Sequence, residues 1–199
     1  MPIKWNLKTL LKGFLQAIFL AIAFPPALSS GFGRVEAIYR FWAQSCALAP
    51  GLPGDYMRTA YYRLTLEACS VESRIQFGSY FAHPQARIGR GVNIGSYCVL
   101  GRTSIGERTQ IASGVQIPSG TQQHPRDAEG RIMGAEHGIF KMVPIGEDCW
   151  IGAGSIVMAE VGKGSTLGAG SVVVYAVPEG SIAVGNPAKV IRQTHERLV

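Results

Sequence analysis

The stretch RIGRGVNIGSYCVLGRTSIGERTQIASGVQI, residues 87–117, places Ile88, Ile94, Leu100, Ile105, Ile111 and Ile117 at steps of six, six, five, six and six residues. A period of six matches neither the 3.6 of an α-helix nor the 2.0 of an alternating strand. It fits a solenoid in which each hexad supplies one short flat strand and a turn, with the large aliphatic side chain pointing inward. Steps of six, six and five then close one coil of three faces. Glycine often follows the aliphatic residue, as at Gly89, Gly95, Gly101 and Gly106, where it tolerates turn geometry that a Cβ would resist. Small or β-branched residues recur four positions after it, among them Val92, Cys98, Ser104 and Thr109.

The same rhythm extends in both directions. Upstream it reaches Val71 and Phe77, and position 83, a histidine, is the one slot without an apolar residue. Downstream it resumes at Ile145, Ile151, Val157, Val161, Leu167 and Val173, giving five coils' worth of hexads in all. The step from Val157 to Val161 is only four, so the chain must turn tightly at Met158-Ala159-Glu160. Cys98 and Cys149 occupy small-residue slots, which explains them without reactivity. The four cysteines, Cys46, Cys69, Cys98 and Cys149, form no CxxC pair. That spacing argues against a metal or disulfide framework and for reduced thiols.

Residues 118–144 obey none of this. A long unrepetitive insertion in a compact domain is usually functional or disordered, and a solenoid wall has no deep pocket of its own. The insertion contains GTQQHPRD, in which Pro125 biases His124 toward extended backbone and helps fix where its imidazole points. A second histidine, His137, follows Glu136 in the same loop.

The composition is 47% hydrophobic and 16% charged, with a net charge of +6. Residues 1–69 carry seven Lys/Arg against three acids, so the basic excess sits beside the most apolar segment. This points to an anionic membrane surface. No basic stripe interleaved with aromatics is present, which argues against nucleic acid. In the opening segment, residues 1–33, Lys4, Lys8 and Lys12 share one helical face, and no residue from Gly13 to Gly33 is charged. Pro25-Pro26 is expected to end the apolar helix near residue 24. That leaves a piece of about 18 Å, short of the ~30 Å hydrocarbon core. A cleaved signal peptide, a single crossing and a re-entrant hairpin returning at the prolines all remain open. The hairpin is preferred because it keeps both ends on the cytosolic side. Val35, Ile38, Trp42 and Cys46 predict a second helix, and a third follows the PGLPG breaker with Asp55 as N-cap. The Trp and Tyr rings of these helices either pack on the C-terminal domain or sit at lipid headgroups.

The tail IGAGSIVMAEVGKGSTLGAGSVVVYAVPEGSIAVGNPAKVIR, with the hexads before it, resembles the hexapeptide-repeat acyltransferases over about residues 70–192. Within that family it looks like the galactoside, maltose and polysaccharide O-acetyltransferase group. With its helical front, the chain looks like acyltransferases of bacterial exopolysaccharide gene clusters. The resemblance implies a mainly β chain: a left-handed parallel β-helix over residues 70–199, behind a membrane-associated helical region over residues 1–69. It also implies acetyl-CoA as co-substrate and a homotrimer with each active site between two solenoids. His124-Pro125, upstream of Trp150-Ile151-Gly152, matches the pair that supplies the catalytic base, although Thr121 stands where many relatives have a glycine placed next to the histidine. His137 is the alternative base. Carried over the tail, Ala153 and Ala169 fall at the slots contacting the pantetheine arm, and Lys189 and Arg192 match the basic pair facing the nucleotide phosphates. Trp150 is placed at the acceptor and Asn93 as a helper of the base.

Acetyl transfer to a sugar hydroxyl requires removal of the hydroxyl proton, which suits a neutral histidine. The amides of Gly152 or Gly154 are candidates to meet the developing oxyanion. The expected function is a membrane-associated O-acetyltransferase acting on a sugar or lipid-linked saccharide in surface-polysaccharide synthesis, at the cytoplasmic face of a bacterial plasma membrane. No metal is expected: His83, His124 and His137 do not sit at the ligand spacing of a zinc hydratase built on the same fold. A soluble small-molecule acetyltransferase and a catalytically silent solenoid are the alternatives.

Overall fold

The computed structural model describes residues 7–193. Lys4 and His195 therefore lie outside the described residues. Three helices precede a parallel β-solenoid of three sheets. The first face carries the inward residues Cys69, Ile88, Ile105 and Ile145, extended by single bridges at Val161 and Val177. The second carries Ile75, Ile94, Ile111, Ile151, Leu167 and Ala183, and the third Phe81, Leu100, Ile117, Val157 and Val173. All of these are buried and form one continuous core. Most strands are only two residues long, so each hexad gives one inward and one outward side chain before it turns. The result is five complete coils and two faces of a sixth. The tight step from Val157 to Val161 is present as expected.

The first coil departs from the expected register. Cys69, Ile75 and Phe81 point inward, while Val71 is 37% exposed and Phe77 lies partly outside. Seven residues separate Phe81 from Ile88, where the later links, the interrupting segment apart, have five or four, so counting back with a five-residue link shifts the whole first coil by two. His83 is thus no empty core slot; it sits in that longer link.

The repeat glycines are needed for a reason other than turn geometry. A Cβ on Gly152 would lie 2.5 Å from the amide nitrogen of Ala169 in the next coil, and one on Gly106 would lie 2.4 Å from that of Glu147. Close coil stacking excludes a side chain there. The left-handed backbone falls two residues later, and it is taken by Tyr97, Arg108 and Asp148 as well as by glycines such as Gly154.

The N-terminal helices cap the open end of the first coil. α1 spans Leu7–Ser29, α2 Glu36–Ala47 and α3 Gly51–Thr65. α1 continues through Pro25 and Pro26, contrary to expectation, and its 23 residues extend about 35 Å. The chain turns only afterwards, where Phe32 N–H donates to Ala27 O and Gly31 N–H to Leu28 O around the left-handed Gly31. This is a Schellman ending, and the prolines lie just inside it. The chain therefore does not turn back at the prolines themselves. α3 begins at Gly51 and tolerates Pro53 in its first turn, where an amide would have no intrahelical partner. Asp55 is consequently an interior residue of α3 and does not cap it.

The tyrosines settle into packing. Tyr39, Tyr61 and Tyr62 are fully buried and form a ring chain that ends on Phe81 of the first coil. Beside them lies Arg58, also fully buried. Its guanidinium donates to Ile75 O (2.7 Å), Cys46 O (3.0 Å), Ala49 O (2.6 Å) and Asp55 Oδ1 (2.6 Å). Asp55 also accepts from Arg74 Nε at 2.7 Å. One cation thus ties α2, α3 and the first coil together.

Candidate active site

The interrupting segment is hydrogen-bonded to itself along its length. It leaves the third face after Ile117 and rejoins the first at Val143, so it projects from the corner between those faces. Its two sides pair as an antiparallel arm. Lys141 N–H donates to Ser119 O (2.9 Å), Ile139 N–H to Gln122 O (2.9 Å), Met133 N–H to Pro125 O (2.8 Å) and Asp127 N–H to Arg131 O (3.0 Å). The tip is held by the Asp127 carboxylate, which accepts from the amides of Glu129 (3.0 Å) and Arg131 (2.8 Å) and from Arg131 Nε (2.8 Å). These bonds from Arg131 and its neighbours keep the Asp127 carboxyl below its ordinary range.

His124 lies on this arm, exposed, with Nδ1 3.2 Å from Met133 O. A carbonyl can only accept. Nδ1 therefore carries the proton in the neutral ring and Nε2 keeps its lone pair, the state a general base needs. His137 ends a short 3-10 turn, Ala135–His137, with Nε2 3.7 Å from Glu136 Oε1, beyond hydrogen-bond distance. Its ring has no comparable fixed tautomer.

The cofactor candidates lie on a different corner, between the second and third faces. Ala153 and Ala169 are exposed and one coil apart, joined by the bond from Gly170 N–H to Ala153 O (2.8 Å). Continuing along the axis, the last strand, Lys189–Gln193, runs antiparallel to Ser181–Val184 and pairs Lys189 with Val184 and Arg192 with Ile182. Ala153, Ala169 and Lys189 thus follow one edge: a lane of small residues with a cation at its end. Arg192 sits off this edge, on the second face.

Asn93 and Trp150 also point out from the second face, with Gln110 between them in the same column. Trp150 is 59% exposed. Asn93 Oδ1 accepts from Gln76 Nε2 at 3.4 Å, and within one chain Asn93 is not on the corner that carries the arm.

The amides first considered for an oxyanion are already engaged. Gly152 N–H donates to Leu167 O (2.9 Å) and Gly154 N–H to Ser113 O (3.0 Å), both within the coil ladder. The amide between them, on Ala153, has no hydrogen-bond partner among the described residues, and neither has that of Ala169. Hexad spacing could not reveal which amide of each turn is left over, because that depends on the bonds between coils.

The profile of the hexapeptide repeat of succinyl-transferase matches residues 142–175. Serine acetyltransferase 2 of Arabidopsis thaliana is 36% identical over 141 residues, which make up 66% of this chain. The match covers only 38% of that relative's length. Among solved structures, a maltose O-acetyltransferase from Clostridium difficile superposes with a TM-score of 0.67 at 24% identity, covering 81% of this chain and 89% of that one. A hexapeptide-repeat-containing acetyltransferase from Vibrio cholerae gives 0.65 at 22% identity, covering 81% and 93%. The latter protein in complex with acetyl coenzyme A gives 0.54 at 21%, covering 82% and 90%. These likenesses establish the shared fold.

Proposed function

We propose that this chain, a hexapeptide-repeat protein with the fold of the hexapeptide-repeat acetyltransferases, is itself an O-acetyltransferase that moves an acetyl group from acetyl-CoA to a sugar hydroxyl. One observation carries the reading: the long break in the solenoid is a hydrogen-bonded arm that holds His124 by Nδ1 and leaves Nε2 with a lone pair. The names of the serine and maltose relatives, and the acetyl coenzyme A complex of the Vibrio protein, support acetyl transfer as the chemistry.

In this mechanism Nε2 of His124 takes the acceptor hydroxyl proton as the oxygen attacks the thioester carbonyl. The negative charge that builds on the carbonyl oxygen is met by a free amide, with Ala153 N–H the candidate. The C–S bond then breaks, and the imidazolium returns its proton to the CoA thiolate. Ala153 and Ala169 offer a lane narrow enough for pantetheine, and Lys189 and Arg192 offer cations for the nucleotide phosphates. Within one chain the arm and the lane occupy different corners. A site using both draws the arm from a second copy, which is the reason to expect a homotrimer.

The N-terminal helices favour a membrane-bound acceptor. α1 buries Ala23 and Ala27 toward the protein, with Gln16 Nε2 donating to Val71 O (2.8 Å). Its opposite side exposes Leu11, Phe14, Ile18, Ile22 and Leu28. The segment Leu10–Ser29 has a mean hydropathy of 1.6 and is long enough to cross a bilayer. Because one side is fastened along α3 and the first coil, an in-plane helix at the cytoplasmic surface of a bacterial plasma membrane fits better. Surface-polysaccharide synthesis is the setting in which such an acceptor would be met.

The test is to incubate purified protein with labelled acetyl-CoA and lipid-linked saccharide extracts, together with vesicle flotation. Label transferred by wild type and lost in His124→Ala supports the reading. No CoA-dependent thermal protection and no transfer would sink it. Phe14→Lys with Ile18→Lys should abolish flotation on anionic vesicles.

A further inference from the structure

Directly below the root of the arm, on the same corner of the prism, lies a group of polar atoms that the catalytic reading does not use. His83 is in the link from the first coil to the second, and Arg102 is in the link from the second to the third. Arg102 is held from both sides: its own amide donates to Ser119 Oγ (2.8 Å), and its Nη1 donates to Phe140 O (3.3 Å) at the arm's root. The guanidinium also lies 5.6 Å from the centre of the Phe140 ring, and the His83 ring packs on the same phenyl at 5.1 Å. Three buried polar atoms here lack a hydrogen-bond partner: His83 Nδ1, Gln85 Oε1 and Arg102 Nε. Buried polar atoms are nearly always paired, so three orphans at one corner call for an explanation.

The charge at this corner is cationic. Arg40 of α2 is exposed, has no carboxylate partner among the described residues, and lies close enough to act electrostatically on His83, as Arg102 does. Burial is the main reason the His83 imidazole is pushed toward its neutral form, and both guanidiniums push the same way. Glu36, 3.8 Å from His83 Nδ1, opposes them and is the one carboxylate facing the ring. Two guanidiniums and an imidazole thus face one acid. The guanidinium fork matches phosphate oxygens, and an imidazole N–H adds a third donor.

We propose that Arg102, Arg40 and His83 form a phosphate site beneath the arm, and that the phosphate it takes is the one carried by the saccharide acceptor. Gln85 Oε1, an acceptor, then takes a hydroxyl of the saccharide that carries the phosphate. The second clause rests on the arm carrying the catalytic base; the first does not.

Inorganic pyrophosphate and vesicles of phosphatidylcholine with or without phosphatidylglycerol serve as probes of the full chain. Binding is read by calorimetry and by flotation. Arg102→Gln is expected to weaken pyrophosphate binding by about ten- to a hundredfold, the loss of one charge-assisted pair. Arg102 also supports the arm, so Arg40→Gln, an exposed change, provides the second variant and should weaken binding in the same direction. Loss of phosphatidylglycerol-dependent flotation as well would assign the phosphate to a lipid; loss in the pyrophosphate arm alone would assign it to a soluble sugar phosphate. Pyrophosphate affinity unchanged in both variants would place the anion elsewhere, on Lys189 and Arg192 for example, and overturn the proposal. His124→Ala separates the two readings: it should abolish transfer and leave pyrophosphate binding intact. If His124→Ala transfers acetyl normally while Arg102→Gln still loses the anion, the base assignment fails and the phosphate site stands.

Discussion

His124 donates from Nδ1 to the carbonyl oxygen of Met133, 3.2 Å away across the arm, and so presents Nε2 to whatever enters the corner. His124→Ala should lower kcat by about 10²- to 10⁴-fold, the range for a positioned general base. The unfolding midpoint should not move, because the side chain is exposed. His137→Ala should leave kcat nearly unchanged. A steady-state comparison of the two variants decides between the histidines.

The tip of the arm offers a milder test. Asp127→Asn removes the charge that holds the amides of Glu129 and Arg131 and the Arg131 side chain. A loss in kcat of roughly two- to tenfold is expected, comparable to one modest hydrogen-bonding contribution. Because the folded-state carboxyl is held below its ordinary value, its ordering effect is complete above the ordinary carboxylate range. It is lost as pH falls through the lowered value. The protection factor of the Arg131 amide against hydrogen exchange, taken relative to the intrinsic rate at each pH, should therefore be highest at neutral pH and fall in acid.

Arg58 sets the coupling between helices and solenoid. Arg58→Met would leave Ile75 O and Ala49 O without their side-chain donor, remove one of the donors to Cys46 O and take away the buried partner of Asp55. A loss of about 3–5 kcal/mol is expected, as for breaking other buried charge pairs from one side. Denaturant unfolding should show the helical signal melting before the β signal in this variant.

Two glycines two residues apart in the same turn should behave differently. Gly152→Ala drives a methyl into the Ala169 backbone and should destabilise by about 1–3 kcal/mol or prevent folding. Gly154→Ala meets open space and only the strain of its left-handed backbone, φ 68°, which costs about 1–2 kcal/mol. Equal effects would mean that coil spacing relaxes to admit a side chain.

The four cysteines are free and buried. Burial pushes the thiols of Cys46 and Cys69 up to about 11, and those of Cys98 and Cys149 upward as well. At neutral pH the native protein should release almost no thionitrobenzoate from Ellman's reagent, and all four thiols should react after unfolding. CoA release can then be followed with the same reagent.

Periodicity made most of the solenoid legible, since Ile88 through Ile117 and Ile145 through Val173 are buried as their spacing requires. It misplaced the first coil because the link containing His83 is longer than the five- and four-residue links, and link length leaves no periodic trace. The prolines misled because local propensity marks them as breakers. Their place in the last turns of α1, before a Schellman ending with Ala23 and Ala27 buried against the protein, makes them tolerable. Arg58 gave no signal at all: an arginine in a helical stretch reads as solvated until the carbonyls around it are known. The His83, Gln85 and Arg102 corner was hidden for a similar reason, since its members come from two links and meet only when the coils stack.

Both ends of the prism are covered. α2 and α3 lie against the strands of the first coil, and Lys189–Gln193 folds back on Ser181–Val184 at the other end. A parallel stack with bare ends would act as a template on which further copies pair indefinitely. With those strand edges occupied, backbone pairing from end to end is hindered, and the elements that seal the core also oppose growth into a fibre.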